Sequence, residues 1–316
     1  MLFRSSIKIT ISNTFKFTIN IRQKKKSKIQ WQKIKSKLKE YVKRPGSLVM
    51  FILIMLATLI TVASMAYLVI YILINGIPYI TLDLFAWKYT SENVSMLPAL
   101  INTIIIVVFT LLLAVPIGIA AAVYLVEYSK RGSKLVKVIR VTTETLAGIP
   151  SIVFGLFGFL AFVLAFKWGY SLIAGVLTLA MMVLPTIIRT TEEALIAVPD
   201  MYREGSFGLG AGKLRTIFVI VIPAAVPGIL SGVILAIGRI VGESAALIFT
   251  AGSVASVPAL KGFFFSSTRT LAVHMYCLLS EGLYINQAYA TAVILLVIVL
   301  IINWLSGIAA KKVGKE

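Results

Sequence analysis

The sequence predicts an all-α polytopic membrane protein, and three observations carry that prediction. The composition is 59% hydrophobic, with a mean hydropathy of +0.96. The apolar residues gather into six long runs, at about residues 48–74, 97–126, 145–166, 171–190, 223–250 and 287–308. Runs near the ~20 residues that cross the hydrocarbon as a helix exclude a barrel, the other fold that satisfies its backbone in lipid. Finally, the basic residues alternate sides: 14 of the 31 Lys and Arg precede residue 47. Lys130, Arg131, Lys134, Lys137 and Arg140 follow the second run, Arg189, Arg203, Lys213 and Arg215 the fourth, and Lys311, Lys312 and Lys315 the sixth. Only Lys88, Lys167, Lys261 and Arg269 fall in the other loops.

The positive-inside rule then places both termini in the cytoplasm. A net charge of +19 so placed is expected to mean orientation and contact with anionic membrane lipids, not nucleic acid. The chain divides into a basic extension (1–47), a six-helix transmembrane domain (48–310) and a basic tail (311–316). Within the extension, Ile29, Ile34, Leu38 and Tyr41 recur at helix-like spacing, which fits either a surface helix on the inner leaflet or a disordered basic head.

Along the domain, the first run is too long for a signal-peptide core and reads as a retained span ending at Asn75-Gly76. Trp87 and Tyr89 beyond it suit an interfacial belt. Pro116 and Gly118 in the second run, and Gly148, Pro150, Gly155 and Gly158 in the third, favour kinks and close helix contacts. The loop 251–286 is long, external and aromatic, and is expected to lie against the membrane or fold back into the protein. Arg269 and Glu281 in it read as solvated charges or as receivers of substrate.

Catalytic chemistry is absent from the pattern. Cys277 is the only cysteine and His274 the only histidine, so an intrachain disulfide is excluded and a His-based metal site or triad is not expected. His274 reads as a loop hydrogen-bonding residue. The stretch Gly208-Leu-Gly-Ala-Gly-Lys-Leu214 approaches a phosphate-cradling loop. It has Phe207 where the first glycine belongs and Leu214 where Ser or Thr belongs. The chain is therefore expected to bind no cofactor, and energy for active transport must come from an ion gradient or a partner.

Two features remain. Pro199 and Asp200 suit a helix start, Gly208, Gly210 and Gly212 interrupt it, and Leu214 to Ile222 resumes before Pro223. Helix, glycine turn, helix is a knob that another protein can grip, and an ordinary amphipathic loop helix fits as well. In the fifth run Arg239 and Glu243 stand four apart, on one face of a continuous helix. Charges there are costly unless they face a bundle interior or a water-filled path. They either neutralise one another or serve a substrate, and an arginine fork suits an oxyanion.

The knob resembles the EAA---G---------I-LP motif with which ABC importer permeases engage their ATPase. Glu204-Gly205-Ser206 stands for EAA, Gly210 for the glycine, and Ile220-Val221-Ile222-Pro223 for the end, with two alanines and the leucine replaced. Leu146–Gly158 (LAGIPSIVFGLFG), Val198–Ile217, Pro223–Ser244 (ending GRIVGES) and Leu271–Val293 look similar to PstA-type permeases of phosphate importers, over about residues 48–310. That resemblance implies a MetI-like permease fold in a bacterial inner membrane, and no enzymatic activity in this chain. It implies a docking loop using Asp200, Tyr202, Arg203, Glu204, Gly205, Ser206, Gly210, Ile220 and Pro223. It also implies a phosphate contact at Arg239, with Glu243 keeping binding weak enough for release. Ser151 and Ser244 would add hydroxyls along the path, or simply pack helices. The implied partners are a homologous permease (PstC), an ATPase dimer (PstB) that carries ATP and Mg, and a phosphate-binding protein (PstS). The alternatives are a permease for another oxyanion (phosphonate, molybdate or sulfate) and an ion-gradient secondary transporter.

Overall fold

The computed structural model describes residues 45–129 and 133–313, and every regular element there is helical. The helix weighed within the basic extension, and the tail beyond Val313, lie outside the described residues. Two compact units meet at Ile70 and Tyr71. In the first, the described part is most of α1 (Pro45–Gly76), where Thr58, Thr61 and Ser64 turn their hydroxyls back onto carbonyls of the preceding turn. That bond lets a small polar side chain sit in an apolar span without an unsatisfied donor.

The second unit is built round α5 (Leu172–Ile196), the helix with most of its apolar face inside the protein. On it pack α2 (Leu97–Val123), which continues through a π turn to Tyr128, and α8 (Ile222–Val241). The crossings depend on small residues, as expected where lipid offers no hydrophobic drive. A Cβ on Gly118 would stand 2.6 Å from Ile187, one on Gly228 2.5 Å from Ala194, and one on Gly232 would overlap Thr190. Core side chains between these helices include Ile106, Leu179, Met182, Ala236 and Ile240. The last span, α11 (Ile285–Val313), packs on α8 and on α10 (Leu271–Glu281).

Among the described residues, five helices are long and apolar enough to cross a membrane, at Gly46–Tyr79, Leu97–Tyr128, Leu172–Ile196, Lys213–Val241 and Ile285–Ile308. The third expected span is different. It is a bent pair, α3 (Lys134–Ala147) and α4 (Ser151–Gly158, extended by a π segment to Ala165), turned by 101° at Gly148–Pro150. Proline disfavours the helical region at the residue before it, and α3 is amphipathic where α4 is apolar, so the halves take different directions. The fifth span also ends early, at Val241 and not at 250, and the chain restarts as the short α9 (Ala245–Thr250). The loop that follows folds back into the protein. Thr268 bonds to the Ala251 carbonyl, Ser266 accepts from Leu172, and α10 is buried along its first turn.

Candidate functional site

Two regions at opposite ends of α2 hold the candidate residues. At the Tyr128 end, α6 (Asp200–Gly208) starts after Pro199 with Asp200 in its first turn. Gly210, at φ +81°, then reverses the chain into α7 (Lys213–Thr216), which runs through a π segment into α8. Pro223 has no N–H to offer Val219, and the π register one turn earlier adjusts the ladder around that gap.

Arg203 holds this helix-turn-helix in place. Its guanidinium reaches Glu127 at 2.8 Å and 3.0 Å, the carbonyls of Val198 (2.8 Å) and Leu195 (2.9 Å), and Asp200 (3.2 Å). Its side chain is 14% exposed and that of Glu127 9%. Ser206 and Thr216 share a buried hydroxyl hydrogen bond of 2.8 Å across the turn, and the Lys213 ammonium stands 4.7 Å over the Tyr128 ring. Arg203 and Ser206, read from sequence as docking residues, thus face inward. Tyr202, Glu204, Gly205 and Gly210 face outward with Met201, Phe207 and Leu209, and Leu209 is 91% exposed. Ile220 is half-buried and Pro223 exposed. The arrangement is a rigid base under an apolar, solvent-facing tip.

Toward the other end lies the interruption between α8 and α9. Arg239 is in the last turn of α8, Gly242 caps that helix, and Glu243 lies beyond its end. The expected single face shared by Arg239 and Glu243 does not exist, because the helix stops between them. Glu243 instead caps α9, its carboxylate accepting the Ala246 N–H at 3.0 Å, and it is 8% exposed. Arg239 is half-buried and makes no ion pair or side-chain hydrogen bond among the described residues. On the same helix Gly238 and Gly242 meet nothing that would oppose an added Cβ apart from their own backbone, so this face is open. Ser244 is the N-cap position of α9 without a side-chain cap bond, and Ser151 opens α4. A Cβ on Gly155 would stand 2.7 Å from Ala246, and one on Gly158 would meet Thr250 at 2.8 Å. Contacts thus advance together along α4 and α9, which sets Ser151 at the same end of this pair as the 242–244 break. Irregular backbone at membrane depth is tolerated where protein buries it or where it lines a cavity.

A family of transport permeases, described as the binding-protein-dependent transport system inner membrane component, matches residues 114–315, from mid-α2 through both regions. The chain belongs to that family. Members are transport subunits that work with an ATPase and a periplasmic binding protein, so this is an integral inner-membrane protein and not an enzyme. A probable ABC transporter permease protein, YqgI, of Bacillus subtilis is 35% identical over 264 residues, 77% of this chain and 88% of that one. The phosphate transport system permease protein PstA of Haemophilus influenzae is 34% identical over 221 residues, 69% of this chain and 78% of its own. PstA of Pasteurella multocida is 41% identical over 179 residues, covering 56% of this chain and 63% of that protein. Among solved structures, a bacterial alginate ABC transporter superposes with a TM-score of 0.64 at 14% identity, over 87% of this chain and 98% of that one. The MetNI methionine transporter gives 0.53 at 18% identity, over 68% and 93%. At these identities the structural likeness is one of fold, and it makes the fold MetI-like.

A third group lies beside α10, where the sequence offered Arg269 as a solvated charge or a receiver of substrate and His274 as a loop hydrogen-bonding residue. Arg269 is 5% exposed and His274 0%, so neither is a solvated loop residue. The Arg269 guanidinium carbon lies 4.9 Å from the centre of the Tyr89 ring, and His274 meets the same ring edge-on at 6.0 Å. Neither imidazole nitrogen has a hydrogen-bond partner among the described residues. Burial lowers the His274 pKa to about 3, helped by the Arg269 charge and opposed by the Val94 backbone, which lies close but outside hydrogen-bonding geometry. The imidazole is therefore neutral at pH 7. The signal in the sequence was a lone arginine and a lone histidine five residues apart in a loop, which by spacing alone resembles any solvated pair.

Proposed function

We propose that this chain is one half of the membrane path of an ATP-driven importer of inorganic phosphate. The observation that carries the reading is Arg239, a guanidinium unpaired among the described residues at an interrupted span, on a helix whose neighbouring face is open. An arginine fork offers two parallel charge-assisted hydrogen bonds and stays protonated, which suits phosphate. The relatives named PstA support phosphate over other oxyanions. In this reading both termini are cytoplasmic, and the path is completed by a homologous permease of the PstC kind. A PstS-like protein delivers phosphate from outside, and a PstB-like ATPase dimer, carrying ATP and Mg, grips the tip at Tyr202, Glu204, Gly205 and Gly210.

Force on that tip reaches the path through two covalent and polar links. The turn runs without a break into α8, which carries Arg239 in its last turn. Arg203 also ties the same base to α2 and to the end of α5. Movement of the knob therefore shifts the break at 242–244, which follows Arg239 directly and holds Glu243 and Ser244, with Ser151 at the same end of the α4–α9 pair. Glu243 is held by α9, so its negative charge stays close to the path and keeps the anion from binding too tightly to leave.

The test is uptake of labelled phosphate into proteoliposomes holding the four components, with sulfate, molybdate and phosphonate as competitors. Phosphate uptake that requires the ATPase and the binding protein, and that Arg239→Lys largely abolishes, is the expected result. Uptake of another oxyanion in preference to phosphate sinks the substrate assignment. Uptake driven by an ion gradient without the ATPase sinks the mechanism.

A further inference from the structure

Several elements converge on a buried positive charge that nothing among the described residues neutralises. Arg269 lies between the end of the returning loop and α10, and among the described residues its guanidinium donates no hydrogen bond and enters no salt bridge. Its backbone is pinned, since the Asn102 amide donates to the carbonyls of Ser256 (3.0 Å) and Arg269 (3.3 Å). The Leu271 N–H also donates to Thr103 Oγ1 at 2.8 Å. Around it Arg269 Nε, the Thr268 hydroxyl, the Asn102 carbonyl oxygen and both nitrogens of His274 are all buried without partners. A cation over a ring recovers far less than burying an uncompensated guanidinium costs. Val94, whose backbone borders His274, is a β-branched residue held at φ 47° while 1% exposed. Such strain persists only where the surroundings enforce it, and it clusters at ligand sites.

We infer that Arg269, Thr268 and His274 form a receiving site for a small tetrahedral oxyanion, inorganic phosphate, on the way to Arg239. This rests on the phosphate-import reading. The fork of Arg269 bonds two oxygens, and the Thr268 hydroxyl donates to a third. A neutral imidazole donates from one nitrogen and accepts from the protonated oxygen of hydrogen phosphate with the other. A guanidinium only 5% exposed admits a small ion far better than a carboxylate fixed on the surface of another protein. The placement also brings the two arginines to one level of the bundle. Thr103 and Leu271, next to the cluster, line a cavity of about 370 Å³ together with Ile237 and Val241, the residues two before and two after Arg239. The two arginines therefore lie near the same level of α2, with Arg203 at its far end.

The melting measurement uses the permease pair with its ATPase but without the binding protein, which takes phosphate itself, and inorganic phosphate is the probe. With Arg239→Gln in place, phosphate is expected to raise the melting temperature where equal chloride does not, and adding Arg269→Gln is expected to remove that shift. In the otherwise native importer Arg269→Gln is expected to raise the KM for phosphate by about tenfold, the scale of losing a charged hydrogen bond. Thr268→Val keeps the charge and is expected to raise it about threefold, which tests the site even where Arg269→Gln fails to assemble. A shift that survives Arg269→Gln, or an unchanged KM in both variants, overturns the receiving site and leaves the import reading standing. No shift in the Arg239→Gln parent, together with lost assembly in Arg269→Gln, assigns the guanidinium to a partner chain's carboxylate and also overturns it. A native assembly that takes up no phosphate overturns the import reading itself.

Discussion

Arg203 and Arg239 are both arginines at helix ends in one permease, and the protein treats them in opposite ways. Arg203 is enclosed by two carboxylates and two carbonyls at 2.8–3.2 Å. Arg239 has no partner at all among the described residues. A guanidinium with every donor satisfied is a strut, and one held at an interrupted span with none satisfied is available to something that arrives. Charge inside a membrane protein is thus no guide to function until its partners are known. The glycines of α8 repeat the contrast: Gly228 and Gly232 pack against Ala194 and Thr190, while Gly238 faces open space and the capping Gly242 meets only the helix's own backbone.

The contrast breaks first if Arg203 proves dispensable. Arg203→Ala strands the buried Glu127 carboxylate, and is expected to cost about 3 kcal/mol of stability and to lose ATPase binding, read by thermal unfolding in detergent and by pull-down. Next, Gly232→Leu drives a side chain into Thr190 and is expected to cost about 2 kcal/mol, whereas Gly238→Leu leaves the melting temperature alone and impairs pairing with the second permease. Histidine supplies the third test. With a folded pKa of about 3 against an unfolded value near 6.5, the unfolded state binds more protons between those limits. Stability should therefore fall as pH drops from about 6.5 toward 3, by up to about 1.4 kcal/mol per pH unit. His274→Gln should flatten that slope in melting curves taken across the window, with Arg269 and Tyr89 unchanged. Ser206→Ala, which breaks one buried hydroxyl bond to Thr216, is expected to cost about 1 kcal/mol. Smallest in stability is Arg239→Gln, within about 0.5 kcal/mol of the native protein although uptake is largely lost. A large destabilisation there would make Arg239 a second strut.

The apolar segments, though not the bend in the third or the end of the fifth, and the helix-turn-helix around Gly210 were legible because each is local. Length of an apolar run and a glycine that must adopt positive φ are set within a few residues. Fold class and permease family followed from them together with the motif from Glu204 to Pro223. Partnership was not legible. Arg203 meets Glu127 from a helix 76 residues away, and no spacing rule reports that, so a strut looked like a docking residue. Arg239 and Glu243 obeyed the i, i+4 rule on paper, yet Gly242 ends the helix between them and hands Glu243 to α9. Arg269 could be read as solvated and His274 as a loop hydrogen-bonding residue because burial depends on where the loop returns, which is decided by hydrogen bonds to Thr103 and Asn102 far off in the chain. Sequence alone determined which segments enter the membrane and the knob that joins two of them, since hydropathy and backbone preference act locally. Only the tertiary structure decided which charges are satisfied and which remain open, because a charge is settled by neighbours that the chain brings together last.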